Sequence, residues 1–217
     1  MLKTLTERLF IGLQHALPQH LVSRLVHRLA RVEARWFSQA FIRSFARAFG
    51  VDMRDAAQPA LGEYATFNAF FTRALAAGAR PLDAGADADA VLCPVDGTIS
   101  QAGAIVDGKL LQAKNAHFRL VDLLGGDTDL AAALDGGVFA TIYLAPYNYH
   151  RIHMPLAGTL EGMCLVPGRL FSVNAVTARR VPGLFARNER VVCRFDTAAG
   201  PMAMVLVGAI NVGSIET

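Results

Sequence analysis

The chain has 217 residues, of which 53% are hydrophobic and 18% charged. Ordinary soluble domains carry roughly 25% charged residues, so this composition can bury a large core and excludes global disorder, collagen-like and low-complexity classes. The net charge of +3 is unevenly spread: residues 1–50 hold eight basic and two acidic side chains, a surplus of six, which leaves residues 51–217 at −3. This divides the chain into a basic segment, 1–50, and a mildly acidic body, 51–217.

Three cysteines, Cys93, Cys164 and Cys193, form no CxxC pair and suggest neither a disulfide framework nor a zinc knuckle. No apolar run reaches the roughly 18 residues that span a bilayer. Glu7, Arg8, His15 and His20 interrupt any signal-peptide core. The expected location is the cytoplasm or the cytoplasmic side of a membrane.

Residues 2–17 read as a short amphipathic helix and residues 18–49 as one longer helix, opening at Pro18 and stopping at Gly50. Leu21, Leu25, Leu29, Val32, Trp36, Ala40 and Phe41 recur at helical steps, while Arg24, Arg28, Arg31 and Arg35 keep their own 4-3-4 spacing. One reading is a surface helix that packs its leucines on the body. The other is an interfacial membrane helix, with Trp36, Phe37, Phe41, Phe45 and Phe49 at the acyl boundary and arginines on anionic headgroups. No nucleic-acid partner is expected, because the body is acidic and no nucleic-acid motif accompanies the arginines.

In the body, residues 60–75 predict a short helix with Phe67, Phe70 and Phe71 inward, followed by an Ala/Gly/Asp loop at 77–90. From Val91 the text turns strand-like, with runs at 138–145, 190–196 and 201–210, the last two joined by a Thr197–Gly200 turn. A helix is expected near 116–124. The fold class is α+β, with amino-terminal amphipathic helices before a mainly antiparallel β-rich body.

Two loops carry groups that a core does not need. In Pro94-Val95-Asp96-Gly97-Thr98-Ile99, Asp96 suits either a turn or a catalytic carboxylate. In Pro146-Tyr147-Asn148-Tyr149-His150-Arg151-Ile152-His153-Met154-Pro155, two histidines stand three apart. No metal is expected: in an extended segment positions i and i+3 face opposite ways, and no cysteine lies nearby in sequence. Acid–base work is the stronger chemistry, since imidazole titrates near neutrality; two satisfied structural histidines are the alternative.

Taken together, these segments resemble the bacterial, membrane-associated phosphatidylserine decarboxylases. The resemblance rests on Val51-Asp52-Met53, Thr66-Phe67-Asn68, Phe70-Phe71-Thr72-Arg73, Pro94 to Ser100, Leu111-Gln112-Ala113-Lys114 and Tyr149 to Pro155. It continues through Val166-Pro167-Gly168, Leu170 to Asn174, Leu184 to Arg190, Val207-Gly208-Ala209 and Val212 to Thr217. It implies a proenzyme that cuts itself before a serine in a Leu-Gly-Ser-Thr-like motif, that serine becoming a covalent pyruvoyl group.

By the same resemblance, Asp96 and His153 are the carboxylate and base of self-cleavage, and His150 handles protons during decarboxylation. The substrate would be phosphatidylserine, bound through a Schiff base to the pyruvoyl group and released as phosphatidylethanolamine and CO2. The implied partners are an anionic membrane surface and the enzyme's own small pyruvoyl-bearing chain, with a homodimer left open. Arg24, Arg28, Arg31, Arg35, Trp36, Phe37 and Phe41 become membrane-docking candidates. No Leu-Gly-Ser-Thr motif occurs before Thr217, so this chain alone is expected neither to process nor to decarboxylate. A non-catalytic short paralogue that binds anionic lipid or a protein partner is the alternative.

Overall fold

The computed structural model describes residues 2–81, 90–113 and 116–216. Most of the loop expected at 77–90, together with Lys114 and Thr217 of the resemblance, lies outside the described residues. In chain order the elements are α1 (Leu2–Ala16), α2 (Gln19–Ala30), α3 (Arg35–Phe49), a 3-10 turn (Leu61–Glu63), α4 (Phe67–Phe71), β1 (Thr98–Ala104), β2 (Lys109–Ala113), β3 (Ala116–Arg119), α5 (Leu120–Leu123) and α6 (Thr128–Leu134). They continue with β4 (Val138–Tyr143), β5 (Gly158–Val166), α7 (Ala175–Arg180), α8 (Leu184–Arg187), β6 (Arg190–Thr197) and β7 (Gly200–Val207). The fold is α+β with antiparallel pairing in the sheets β2–β3 and β5–β6–β7. None of the described helices is long and apolar enough to cross a membrane.

The chain forms two compact units. The first comprises residues 1–26, 99–143 and 158–217. Its main core gathers Ile105, Leu110, Phe118, Leu120, Leu123, Leu124, Leu130 and Val192, and a second cluster gathers Phe171, Val181 and Leu184. The hairpin β6–β7 closes with Thr197 opposite Gly200. Gly200 sits at φ +100, which only glycine adopts without strain. Gly168 is a second glycine with a reason, since a Cβ there would stand 2.5 Å from the Arg187 carbonyl oxygen.

The inner face of α1 and the start of α2 carries buried polar groups beside Ile11, which packs on the second cluster. Gln14 Oε1 accepts from the Ser172 amide at 2.9 Å, Gln19 Oε1 from the Leu170 amide at 2.8 Å, and His20 Nε2 donates to the Gly168 carbonyl. Buried main-chain groups of the 168–172 loop need partners, and glutamines supply them. The leucines therefore face outward: Leu21 is 60%, Leu25 57% and Leu29 40% exposed. Of the two readings of this helix, the one in which the leucines pack on the body is not met.

The second unit comprises residues 27–98 and 144–157. Its core is aromatic, with Ile42, Tyr64, Phe67 and Phe70 buried and Phe41, Phe45 and Phe71 packed on them. The single helix expected over 18–49 is broken. After Ala30 the amides of Arg31 and Val32 reach back only to Arg28 and Leu29, a 3-10 closure, and α3 starts afresh at Arg35. No glycine or proline forces this. The break lets α3 bury Ser38, Gln39 and Ile42, with Gln39 Nε2 donating to the Tyr64 carbonyl at 3.0 Å. Gly50, at φ +64, ends α3 as expected.

Two other helix assignments are corrected. Residues 60–75 hold only the 3-10 turn and α4, because Thr66 caps a new start by accepting from the Ala69 amide. Residues 116–119 form β3 against β2, and only Leu120–Leu123 is helical. Cross-strand pairing overrides local propensity there.

Candidate active site

All three residues expected to carry chemistry, Asp96, His150 and His153, lie in the second unit. Two extended segments run antiparallel: the Leu92 amide donates to the Pro155 carbonyl at 2.8 Å, and the His153 amide to the Pro94 carbonyl at 2.9 Å. Prolines at both ends keep the segments extended. This pairing carries Asp96 and His153 into one neighbourhood, near enough for the His153 ring to favour the ionised Asp96.

The Asp96 carboxylate is held in a fork by Arg80, whose Nε stands 2.9 Å from Oδ1 and 3.2 Å from Oδ2. The Arg80 NH1 group bonds Asp55 Oδ2 at 2.8 Å. Hydrogen bonding from Arg80 holds the Asp96 carboxyl below its ordinary range, against partial burial; Arg73 and His153 add to the lowering. Asp96 is therefore a carboxylate at neutral pH, as a group that orients an imidazole must be.

His153 Nε2 lies 2.9 Å from the hydroxyl of buried Tyr149, and the two rings stack at 5.6 Å and 18°. His150 takes a different partner: its Nδ1 is 2.9 Å from the Asn148 carbonyl oxygen, and the Phe71 ring lies 3.9 Å from its own. Burial pushes the His150 imidazole to lower basicity, opposed by the Asn148 bond and reinforced by the charge of Arg73. The turn below is stiffened by Asn148 Oδ1, which accepts from the Ala145 amide at 2.6 Å.

Among the docking candidates, Arg24, Arg28 and Arg35 are exposed and Trp36 is 80% exposed. Arg31 and Phe37 are half-buried. Phe41 turns inward and stacks on Phe67 at 4.2 Å, because packing α3 on α4 needs an aromatic there. Arg73, Arg80 and Tyr149 stand against the candidate residues and were missed by sequence reasoning. Arg73 and Tyr149 stand inside the quoted motifs, so proximity to the motif residues was their only signal; Arg80 had none.

A family model described as phosphatidylserine decarboxylase matches residues 67–217, and one described as PSD matches residues 9–50. The chain is 57% identical over 211 residues to the phosphatidylserine decarboxylase proenzyme of Ectopseudomonas mendocina, covering 97% of this chain and 73% of that protein. A proenzyme of the same name from Pseudomonas aeruginosa is 60% identical over 211 residues, covering 97% and 72%. The one from Bordetella pertussis is 58% identical over 211 residues, covering 97% and 70%. Identity at this level over nearly the whole chain leaves one conclusion: the chain belongs to the phosphatidylserine decarboxylase family.

Proposed function

We propose that this chain provides the acid–base residues of a phosphatidylserine decarboxylase proenzyme, a lyase that removes CO2 from phosphatidylserine and yields phosphatidylethanolamine. His153 is the base that takes the proton of the serine hydroxyl during self-cleavage, and Asp96 orients its imidazole and stabilises the charged form. His150, less basic through burial, handles a proton during decarboxylation.

The donor set suits a pyruvoyl group: an ionised carboxylate, one imidazole bonded to a tyrosine and a second made less basic by burial against Phe71. That group supplies the electron sink for the carbanion left when CO2 departs, which no ordinary side chain provides. The observation that carries the reading is the antiparallel pairing of residues 92–94 with 153–155, which draws Asp96 and His153 together. The test is self-cleavage of the protein expressed from its complete reading frame. Asp96→Asn and His153→Ala should leave it uncut, whereas His150→Ala should be cut yet release no CO2 from phosphatidylserine. Normal cleavage in both of the first two variants would overturn the assignment.

We infer further that segment 1–50 docks the enzyme on an anionic membrane surface at the cytoplasmic face, with the chemistry in 51–217. The support is the outward leucine row Leu21, Leu25 and Leu29, beside exposed Arg24, Arg28, Arg35 and Trp36. An apolar row flanked by guanidinium groups suits the boundary between headgroups and acyl chains.

A further inference from the structure

Arg73 is a buried cation to which the chemistry above gives no catalytic step. It is only 5% exposed, and a buried charge is costly unless dipoles or counter-charges compensate it. Its hydrogen bonds run to main-chain carbonyls rather than to a carboxylate: NH2 stands 3.5 Å from both the Tyr147 and the Asn148 oxygens. Its guanidinium carbon also lies 5.7 Å from the centre of the Phe70 ring.

The Asn148 carbonyl is also the acceptor for His150 Nδ1. A carbonyl oxygen only accepts, so Nδ1 carries the hydrogen and the neutral ring keeps its lone pair on Nε2. The same stretch of chain grips the loop at two more points: the Phe71 ring lies 3.9 Å from that of His150, and the Thr72 carbonyl accepts from Arg151 Nε at 2.8 Å. Residues 71, 72 and 73 thus hold the 147–151 loop from the end of α4.

We propose that Arg73 is a positioning residue for His150: by holding the carbonyls of Tyr147 and Asn148 it fixes the imidazole as the Nδ1–H tautomer and leaves Nε2 the unprotonated nitrogen. This rests on the role given to His150 above. Three other polar groups of the same segment are engaged with other partners. Arg151 is turned to the Thr72 carbonyl, and the Tyr149 hydroxyl and His153 are bonded to each other. The charge of Arg73 opposes an imidazolium at 150, and the carboxylates of Asp96 and Asp52 in turn favour the charged Arg73.

The test is two-bond 1H–15N correlation spectroscopy of the 217-residue chain across a pH series, for wild type, Arg73→Met and Arg73→Lys. Wild-type His150 should show the Nδ1–H tautomer. Arg73→Met should give mixed tautomers, because the donor to the two carbonyls is gone. Arg73→Lys, which keeps the charge but shortens the reach to those carbonyls, should likewise leave the tautomers mixed. A wild-type Nε2–H tautomer, or unchanged His150 signals in a folded Arg73→Met, would overturn the proposal. If Arg73→Met does not fold, the wild-type tautomer and Arg73→Lys decide: a pure Nδ1–H tautomer in Arg73→Lys would overturn it. These signals do not depend on activity. An active His150→Ala enzyme would therefore remove His150 from the reaction while leaving the positioning result standing.

Discussion

The hydroxyl of Tyr149 lies 2.9 Å from Nε2 of His153, the nitrogen that a base oriented through Nδ1 would offer to a nucleophile. A residue four positions upstream thus occupies the ring's working edge. Asp96 is likewise engaged, with both oxygens on Arg80. The two groups assigned to self-cleavage share a neighbourhood, and each is steadied by a further side chain.

Replacing Tyr149 with phenylalanine keeps the stacked rings and removes one hydrogen bond. Loss of this part-buried hydrogen bond should lower the unfolding free energy by about 1 kcal/mol. Urea denaturation of the 217-residue chain measures this. An unchanged midpoint would mean that the Tyr149 hydroxyl and His153 do not bond in solution.

The Arg80 fork makes a prediction about acid. The folded-state pKa of Asp96 is depressed, chiefly by Arg80, so the stability it contributes is present above the unfolded carboxyl value. That stability is lost as pH falls through the lower folded value. In Arg80→Met the 13C titration of the Asp96 carboxyl should move up toward the ordinary range, and stability should depend less on pH in the acid limb. The Arg80 side chain is 45% exposed, so the loss near neutrality should stay within about 1 kcal/mol. An unmoved Asp96 titration would remove Arg80 from the site.

Arg190 should matter far more for stability. At 2% exposure its Nε donates to the Leu123 carbonyl at 2.6 Å and its NH1 to the carbonyls of Ala186 and Asn188, both at 2.8 Å. Arg190→Met leaves these acceptors buried and unpaired, at a cost of about 3 kcal/mol or more. Thermal unfolding reads the effect. A loss below about 1 kcal/mol would show that water replaces the guanidinium.

The leucine row on α2 predicts a surface effect. Leu21, Leu25 and Leu29 changed together to serine should leave thermal unfolding nearly unchanged, since these side chains are already exposed. Flotation with vesicles rich in phosphatidylglycerol should fall at least tenfold, because each buried leucine is worth roughly 1.5–3 kcal/mol. Replacing Arg24, Arg28 and Arg35 with glutamate should weaken binding through charge, and added salt should mimic that change. Vesicle binding indifferent to both sets would remove the helix from the membrane assignment.

Periodicity and turn chemistry act over a few residues, so what depends on them is legible in the chain. Gly50 ends α3, Pro18 precedes α2 and the Thr197–Gly200 turn closes β6–β7. The resemblance motifs likewise marked Asp96, His150 and His153. They did not distinguish chemistry from scaffolding. Asn188 and Arg190, inside the quoted segment Leu184 to Arg190, bind buried carbonyls as structural groups, with Asn188 Nδ2 donating to Phe171 and Gly208.

What escaped the linear text depends on pairings between distant residues. A helical stripe shows that one face differs from another but not which face is buried. Gln14 and Gln19 turn inward because amides at 170 and 172 need acceptors, and the leucines are left outside. Arg73 meets the carbonyl of Asn148, 75 positions away, and Arg80 meets Asp96 across 16. Hydrogen-bond and charge partners at such separations are selected by folding, because satisfaction of buried polar groups is a property of the packed molecule, whereas backbone preference is a property of neighbours along the chain.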